Sequence, residues 1–263
     1  MKKMKIFIST MLIFSSINAF SVKAAESSSV DATSQTIGQL SPKEQALTNE
    51  KLKLSEDYYN NKKNNKTING MVPMTYNSSK VMYYPYNKQE AGNWCGPAAA
   101  YNAITGYKPS LVGVATQYSL SRDLGTGAPG GNGTPIPGSW SYIMNSYLGG
   151  NNYAVIMGSS YNATDWRAKV KNCVIYTVDK GYPVIVDTKQ DPYGIKLYPK
   201  YSYIDDRGVN GASTFHYITV TGYDDTPGND RIFYSDSHPD FNERYWTYTT
   251  NVATVSNPMG IIW

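Results

Sequence analysis

The apolar residues of this 263-residue chain follow a helical period near its beginning and change to short strand-like runs near its end. The first periodic stretch follows Ser41-Pro42-Lys43-Glu44, which combines an N-cap serine, a first-turn proline and a capping-box acid. This pattern predicts a helix over about residues 41–59 with one apolar stripe. The residues of the predicted stripe are Leu40, Leu47, Leu54 and Tyr58.

The middle of the chain alternates helical patterns with one long loop. Residues 125–138 are rich in glycine and proline, so they predict a loop of the kind that often lines a binding cleft. An extended strand is predicted over Met82–Tyr86, ahead of the first helix of this region. The predicted helices are Gly96–Gly106, Ser139–Leu148 and Thr164–Lys180, the last with Thr164 as its N-cap.

The last third of the chain predicts an antiparallel sheet. Its β-branched and aromatic runs are short and are bounded by turn residues, as is typical of strands. Residues 224–230 are polar and join two of these runs as a hairpin. Helices first and strands second indicate an α+β fold with one main domain. The predicted strands are Tyr182–Thr188, Thr214–Tyr223, Arg231–Ser235 and Met259–Trp263.

The N-terminal 24 residues have the pattern of a secretory signal peptide. Lysines precede an apolar stretch over residues 6–17, and Val22-Lys23-Ala24 supplies the small residues of a cleavage site before Ala25. The apolar stretch is shorter than the roughly 20 residues that a membrane span requires. We therefore expect removal of residues 1–24 and a secreted protein, either extracellular or associated with the cell wall.

Residues 25–66 form a separate N-terminal region in this interpretation. A polar stretch over residues 25–39 predicts disorder, the helix follows, and the Asn- and Lys-rich residues 60–66 predict a polar linker. Two hypotheses remain open for this region, a pro-segment that covers an active site and a simple extension. The composition changes near Thr67, so the main domain is placed at residues 67–263.

The charge balance argues against polyanionic partners. The whole chain has a formal net charge of +4, but residues 1–24 carry four lysines and no acid, so the rest of the chain is formally neutral. A neutral chain without a basic patch is a poor match for nucleic acid or an anionic membrane. We expect neither as a partner, and the oligomeric state is left open.

The segment Gln89–Pro97 combines a nucleophile with a hydrogen-bond donor. Cys95 is predicted at the first turn of a helix, where the backbone dipole favours a thiolate over a thiol. Gln89 precedes it by six residues, close enough for its amide to return beside the sulfur and stabilise an oxyanion. This pair suits acyl transfer, provided that a base lies nearby.

His216 is the better candidate for that base. It lies near the start of a predicted strand and shares a face with Ile218 and Val220, whereas His238 lies in a polar turn that we expect to be flexible. Asp236 ends the neighbouring strand of the hairpin, where its carboxylate could orient the imidazole. Asp240 and Asp187 are alternative orienting acids.

Cys173 is the second cysteine of the chain and falls on the apolar stripe of the predicted helix Thr164–Lys180. We expect it to be a buried free thiol that behaves as a small hydrophobic residue. A disulfide with Cys95 is the alternative in an exported protein. That bridge would consume the nucleophile.

These motifs together resemble the papain-like cysteine peptidases. Gln-x5-Cys-Gly-Pro at a helix start precedes a strand reading His-Tyr-Ile-Thr-Val-Thr-Gly-Tyr-Asp and a further strand that ends in Asp. Among these peptidases the chain is most similar to the bacteriocin leader-processing (double-glycine) peptidase group, family thirty-nine of the cysteine peptidases. The resemblance covers about residues 78–263 and implies a papain-like α+β fold.

The resemblance also implies a role for each site residue. Cys95 would be the nucleophile, His216 the general base and acid, and Asp236 the residue that orients His216. The Gln89 amide and the Cys95 backbone N–H would form the oxyanion hole, with no metal and no cofactor. The best-known leader-processing members are cytosolic domains fused to exporters, so double-glycine specificity is not carried over to this exported chain.

The sequence therefore predicts a secreted cysteine peptidase that hydrolyses peptides or proteins through a thioester. Three other functions remain open. The same thiol could hydrolyse cell-wall peptides or amides, or it could transfer the acyl group to another amine. The fold could also serve as a non-catalytic binding module, in which case the thiol would be dispensable.

Overall fold

The computed structural model describes residues 34–64, 78–150, 152–191, 194–195, 197, 213–239 and 244–263. The predicted signal peptide, most of the polar stretch after it and the predicted boundary near Thr67 lie outside these ranges. The helices are α1 (Pro42–Asn64), α2 (Cys95–Tyr107), α3 (Gln117–Asp123), α4 (Trp140–Leu148), α5 (Ala163–Asp179) and α6 (Thr249–Ser256). The strands are β1 (Ser79–Val81), β2 (Val155–Met157), β3 (Val184–Gln190), β4 (Thr214–Asp224), β5 (Arg231–Asp236), β6 (Arg244–Tyr248) and β7 (Gly260–Ile262).

The strands of the described residues form one antiparallel sheet in the order β2-β7-β3-β4-β5-β6. The long strand β4 is its centre, because β3 and β5 flank it and β1 pairs with its C-terminal end. The hairpin predicted over residues 224–230 joins β4 to β5. The predicted α+β class is confirmed.

The two faces of the sheet pack against different helices. Tyr217 and Ile185 face α2 and α4, in what we call the α2-side core. Ile218 and Val220 face α5 and α6, in the α5-side core. This division follows from the alternation of side chains along β3 and β4. It places residues 216 and 217, which are adjacent in sequence, on opposite faces of the sheet.

Helix α1 rests on α5, and it uses a different face from the predicted one. Leu47 and Leu54 are exposed, whereas Thr48 is buried and its hydroxyl donates to the carbonyl of Val155 at 2.8 Å. The predicted stripe is therefore wrong for these two leucines, because the helix docks through polar atoms aimed at backbone carbonyls. The residues of α1 that pack against the α5-side core are Leu52, Tyr58 and Tyr59.

Several element boundaries differ from the predictions. Helix α1 continues to Asn64, which takes in most of the predicted polar linker. Met82–Tyr86 is not a strand, since β1 ends at Val81. Helix α5 begins one residue earlier than predicted, because Asn162 is its N-cap and accepts from the backbone N–H of Asp165.

Both cysteines are buried, and no disulfide joins them. Cys173 lies in the α5-side core and Cys95 in the α2-side core, so the two side chains belong to different cores. The prediction of a buried, unbridged Cys173 is confirmed. Among the helices of the described residues, none has the length and apolar character needed to cross a membrane.

Candidate active site

Cys95 is the first residue of α2 and is 2% exposed. The N-cap residue, Trp94, provides no side-chain cap to the helix. The backbone N–H groups in the first turn of a helix have no acceptor within the helix. Pro97 has no N–H, so the first turn of α2 has one unsatisfied donor fewer. The sulfur thus lies at the positive end of a 13-residue helix, as the sequence predicted.

Side-chain amides hold the segment that leads to Cys95. Asn102 of α2 accepts from the N–H of Asn87 at 2.8 Å and donates to its carbonyl at 2.9 Å. Gln117 of α3 donates to the carbonyl of Lys88 at 2.6 Å and accepts from the N–H of Glu90 at 2.9 Å. These bonds supply the backbone partners that a neighbouring strand would otherwise provide. They fix the residues on both sides of Gln89.

Asn93 joins the turn before Cys95 to the glycine-rich loop. Its amide nitrogen lies 3.1 Å from the carbonyl of Gly127, 2.9 Å from that of Ala128 and 3.0 Å from that of Asn132. Its amide oxygen accepts from the N–H of Gly130 at 3.0 Å. The Trp94 indole N–H also donates to the Gly127 carbonyl, at 3.1 Å, so two buried side chains fasten the loop predicted over residues 125–138 to the cysteine turn.

Gly96 lets the same loop approach the helix closely. A Cβ atom at this position would stand 2.7 Å from the Cβ of Thr134, well inside the contact distance of two carbon atoms. Any side chain here would displace Thr134 or the first turn of α2. Glycine directly after Cys95 is therefore a packing requirement of this site.

Gly96→Ala is expected to destabilise the protein by about 1–3 kcal/mol through overpacking. It should also lower kcat/KM for peptide cleavage by more than the loss of folded protein explains. Thermal unfolding and kcat/KM would be measured on the variant and on the Gly96→Ala/Thr134→Gly double variant. Removing the Thr134 side chain should restore part of both losses. Equal melting temperatures for wild type and Gly96→Ala would contradict this packing.

His216 and Asp236 form a hydrogen-bonded pair that is fully buried. Nε2 of His216 lies 2.9 Å from Oδ1 of Asp236, and both side chains are 0% exposed. Asp236 lies opposite Ile218 in the β4–β5 register, so it is diagonal to His216 and on the same face. The same carboxylate oxygen accepts from the backbone N–H of His238 at 2.9 Å. The carboxylate is thereby held toward the imidazole.

The two alternative orienting acids do not take this position. Asp187 lies opposite Tyr217 in the β3–β4 register and so shares the other face of the sheet. Asp240 lies outside the described residues. His238, which was predicted in a polar and flexible turn, is 0% exposed, and its ring centroid is 6.4 Å from that of His216.

Gln89 connects the cysteine segment to the end of β5. Its N–H donates to the carbonyl of Ser237 at 2.9 Å, and the Ser237 hydroxyl donates to its Oε1 at 3.2 Å. Its Nε2 donates to the carbonyl of Gly92 at 2.8 Å, inside the turn before Cys95. Because the Gly92 carbonyl can only accept, the end of the amide that faces it must be the nitrogen. The nitrogen end therefore points toward the turn that presents Cys95.

A second polar cluster lies on the other side of β4. Asp187 is fully buried, and its Oδ2 accepts from Nε2 of Gln35 at 2.6 Å. Gln35 also donates to the Tyr217 hydroxyl at 2.9 Å, and this hydroxyl donates to the carbonyl of Thr134 at 3.1 Å. Burial raises the pKa of Asp187 well above its usual value, against the smaller opposing effects of Gln35 and Tyr217.

Asp187→Asn is expected to raise the melting temperature by about 2–6 °C at pH 8 and to change it little near pH 4.5. The raised pKa means that the folded protein binds a proton that the unfolded chain releases, so the Asp187 contribution to stability falls as pH rises above about 4. Thermal melts across pH 4.5–8 would measure this, with the exposed Asp57→Asn as the control. Parallel pH profiles for wild type and Asp187→Asn would rule it out.

Comparison with known protein families identifies the family of the chain. A family model described as the Peptidase_C39 like family matches residues 81–259, which is more than half of the chain. The chain belongs to the Peptidase_C39 like family. It is therefore a cysteine peptidase, a hydrolase with a papain-like α+β fold. No curated protein matches the chain.

The four predicted site residues of this peptidase all lie inside the region that matches the family model. These residues are Gln89, Cys95, His216 and Asp236. Helix α1 and the segment before it lie outside the matched region. Among the described residues, no group of three or more His, Cys, Asp or Glu side chains is arranged to hold a metal ion.

Sequence reasoning missed several residues of the candidate site and of the polar cluster beside it, among them Asn93, Ser237 and Gln35. Asn93 and Ser237 each lie next to residues that the sequence did single out, so their neighbours offered a hint. Gln35 offered none, because its contact with Asp187 joins positions 152 residues apart in the chain. Only the folded chain brings these two side chains together.

Proposed function

We propose that this protein is a secreted cysteine peptidase that hydrolyses peptide bonds through a Cys95-His216-Asp236 site and a thioester intermediate. The observation that carries the proposal is the buried hydrogen bond between His216 and Asp236. Membership in a cysteine peptidase family and the position of Cys95 at a helix N-terminus support it. The pairing of Cys95 with His216 is part of the proposal.

The His216–Asp236 bond assigns a task to each ring nitrogen. Because Nε2 faces the carboxylate, Nδ1 is the nitrogen that would exchange a proton with the sulfur. A carboxylate on Nε2 stabilises the imidazolium that forms when His216 takes the thiol proton. The Asp236 oxygen is itself fixed by the N–H of His238, which limits rotation of the carboxylate.

Gln89 would stabilise the tetrahedral intermediate. Its amide is oriented by Ser237 and Gly92, so the donor is in place before the substrate binds. Together with the Cys95 backbone N–H it would donate to the carbonyl oxygen as negative charge develops there. Such preorganised donors are worth about 10²–10³-fold in kcat each.

The reaction then follows in two halves. The Cys95 thiolate attacks the peptide carbonyl carbon, the C–N bond breaks, and His216 gives its proton to the leaving amine. A water molecule next loses a proton to His216 and attacks the thioester, releasing the carboxylic acid and the Cys95 thiol. No redox step occurs, and the balance of the reaction is one water consumed for each peptide bond.

Secretion is the part of the proposal that rests on the N-terminal sequence. The lysines, the apolar stretch over residues 6–17 and the small residues before Ala25 support export by a signal peptide. N-terminal sequencing of protein recovered from the culture medium should begin at Ala25. Retention of Met1 in that fraction would contradict the assignment.

The peptidase activity is tested with a mixed peptide library. The mature protein, beginning at Ala25, is incubated with the library before and after treatment with iodoacetamide, and the products are read by mass spectrometry. We expect defined cleavage products that disappear in proportion to alkylation of Cys95. Absence of cleavage by the thiol-intact protein, or cleavage that survives full alkylation of Cys95, would refute the proposal.

Asp236→Asn is expected to lower kcat by about 10²–10⁴-fold with a small change in KM, because the amide cannot stabilise the imidazolium. The fold should survive, since an asparagine oxygen can still accept from the His238 N–H. Steady-state kinetics on a peptide from the library would measure the effect. Asp57→Asn removes an exposed acid and should leave both constants unchanged.

A further inference from the structure

Residues 34–38 lie along the glycine-rich loop as a short additional strand. The N–H of Gly133 donates to the carbonyl of Ser34 at 3.0 Å, and the N–H of Ile136 donates to that of Thr36 at 3.0 Å. The N–H of Gly38 then donates to the carbonyl of Ile136 at 2.7 Å. The segment and the loop are parallel at this point. The loop therefore presents a backbone edge, residues 133–136, that pairs with an extended peptide.

This loop edge contacts the start of α2 and the start of β4 through Thr134. The Thr134 side chain packs against Gly96, the residue directly after Cys95. Its carbonyl accepts from the hydroxyl of Tyr217, the residue directly after His216. An extended peptide paired with residues 133–136 thus runs past the start of α2 and the start of β4.

Gln35 is the side chain of this segment that turns inward. Its amide reaches Oδ2 of the buried Asp187 and the Tyr217 hydroxyl, whereas Ser34, Thr36 and Ile37 are exposed. The other carboxylate oxygen of Asp187 is buried and, within the described part of the chain, has no hydrogen-bond partner. The Asp187 carboxylate therefore has more hydrogen-bonding capacity than Gln35 uses.

The segment is held by polar contacts that another peptide could replace. Ile37 is 49% exposed, so residues 34–38 bury no large apolar side chain. Three backbone hydrogen bonds and the Gln35 amide provide most of the attachment, and any extended peptide offers the backbone bonds. Strand addition of this kind takes affinity from the main chain and specificity from alternate side chains.

We propose that residues 133–136 are the substrate-binding edge of this peptidase and that residues 34–38 occupy it in competition with substrate. This inference rests on the proposed function. The substrate class is an extended peptide that carries Gln or Asn at the position that reaches Asp187 and Tyr217. Residues 34–38 are then a built-in competitor, a role that the sequence left open for residues 25–66 as a whole.

The test uses full-length mature protein with single substitutions that loosen the segment. Gln35→Ala removes the inward amide, and Gly38→Pro independently removes the N–H that bonds to Ile136. Both should raise kcat/KM about 10-fold, chiefly through KM, with little change in melting temperature. Gln39→Ala, an exposed neighbour, is the matched control and should change neither value.

A synthetic peptide with the sequence of residues 34–40 tests binding apart from catalysis. Labelled with a fluorophore, it should bind the Cys95→Ala/Gln35→Ala double variant, and an analogue with alanine in place of the glutamine that corresponds to Gln35 should bind at least 10-fold more weakly. Binding without cleavage by any variant would refute the peptidase proposal and retain the binding edge.

Cleavage with unchanged kcat/KM in both loosened variants and no peptide binding would refute the binding edge and retain the peptidase. Loss of activity together with a lower melting temperature in both Gln35→Ala and Gly38→Pro would also refute it. That result would assign residues 34–38 a purely structural role.

Discussion

Replacing Cys95 by alanine is expected to remove peptide cleavage, with kcat falling by about 10⁵- to 10⁶-fold. The substitution takes away the sulfur that attacks the carbonyl, and no other group at the start of α2 can form an acyl intermediate. Water attack assisted by the oxyanion donors would account for the remaining rate. The fold should persist, because alanine suits the first turn of a helix.

Cys173→Ala is the matched control for this experiment. It also removes a buried thiol, but Cys173 lies in the α5-side core, and burial raises its pKa to about 12. The thiol therefore stays protonated and inert. We expect unchanged kcat and a stability loss of about 1–2 kcal/mol from the small cavity. Full activity of Cys95→Ala, or loss of activity in folded Cys173→Ala, would refute the assignment of the nucleophile.

Deleting residues 25–64 is expected to lower the melting temperature by about 10–25 °C. Helix α1 contributes three partly buried apolar or aromatic side chains at about 1 kcal/mol each and several hydrogen bonds of similar size. Among these bonds, Tyr58 donates to Asp179 at 2.9 Å and Thr48 donates to Val155 at 2.8 Å. Together these interactions stabilise the folded protein by about 4–7 kcal/mol. Each kcal/mol corresponds to roughly 2–4 °C in melting temperature. Circular dichroism during heating would measure the shift.

Two comparisons make this deletion informative. A chain that begins at Gln39 keeps α1 and should melt within a few degrees of the mature protein. Within α1, Tyr58→Ala should lower the melting temperature, whereas Leu54→Ala should not, because Leu54 is 50% exposed. An unchanged melting temperature after deletion of residues 25–64 would show that α1 is dispensable.

The deletion result bears on the pro-segment hypothesis. Helix α1 contacts α5 and the start of β2, and none of its contacts given above involves a site residue. Removing the whole region would therefore mix a loss of stability with any gain of activity. Of the two hypotheses for residues 25–66, we expect α1 to stabilise the fold, and competition with substrate is proposed for residues 34–38 alone.

The sequence predicted the parts of the site that depend on local pattern. Alternation along β4 placed His216 on the face of Ile218, and the hairpin brought Asp236 beside it. The start of α2 followed from the residues around Cys95. These features need only the period of one strand, the length of one hairpin and the preferences of one helix terminus.

The parts that the sequence did not predict depend on contacts between distant segments. Helix α3 was missed because its residues are mostly polar, although the capping box of Thr116 and Ser119 marks its start. Strand β6 was missed because it is an edge strand with exposed aromatic residues. The prediction of which face of α1 is buried was wrong, because the buried face includes Thr48, which donates to a backbone carbonyl. A search for apolar stripes does not detect such a contact.

The position of β7 has a consequence for the order of folding. This strand follows all others in the chain, yet it lies between β2 and β3 and pairs with both. Until β7 has been synthesised, β2 therefore cannot join the sheet. Both cores then lack the side chains that β7 contributes. A nascent chain that ends before Gly260 should remain protease-sensitive and unfolded. Delayed folding of this kind keeps a polypeptide unfolded, which is the state that a secretion channel accepts.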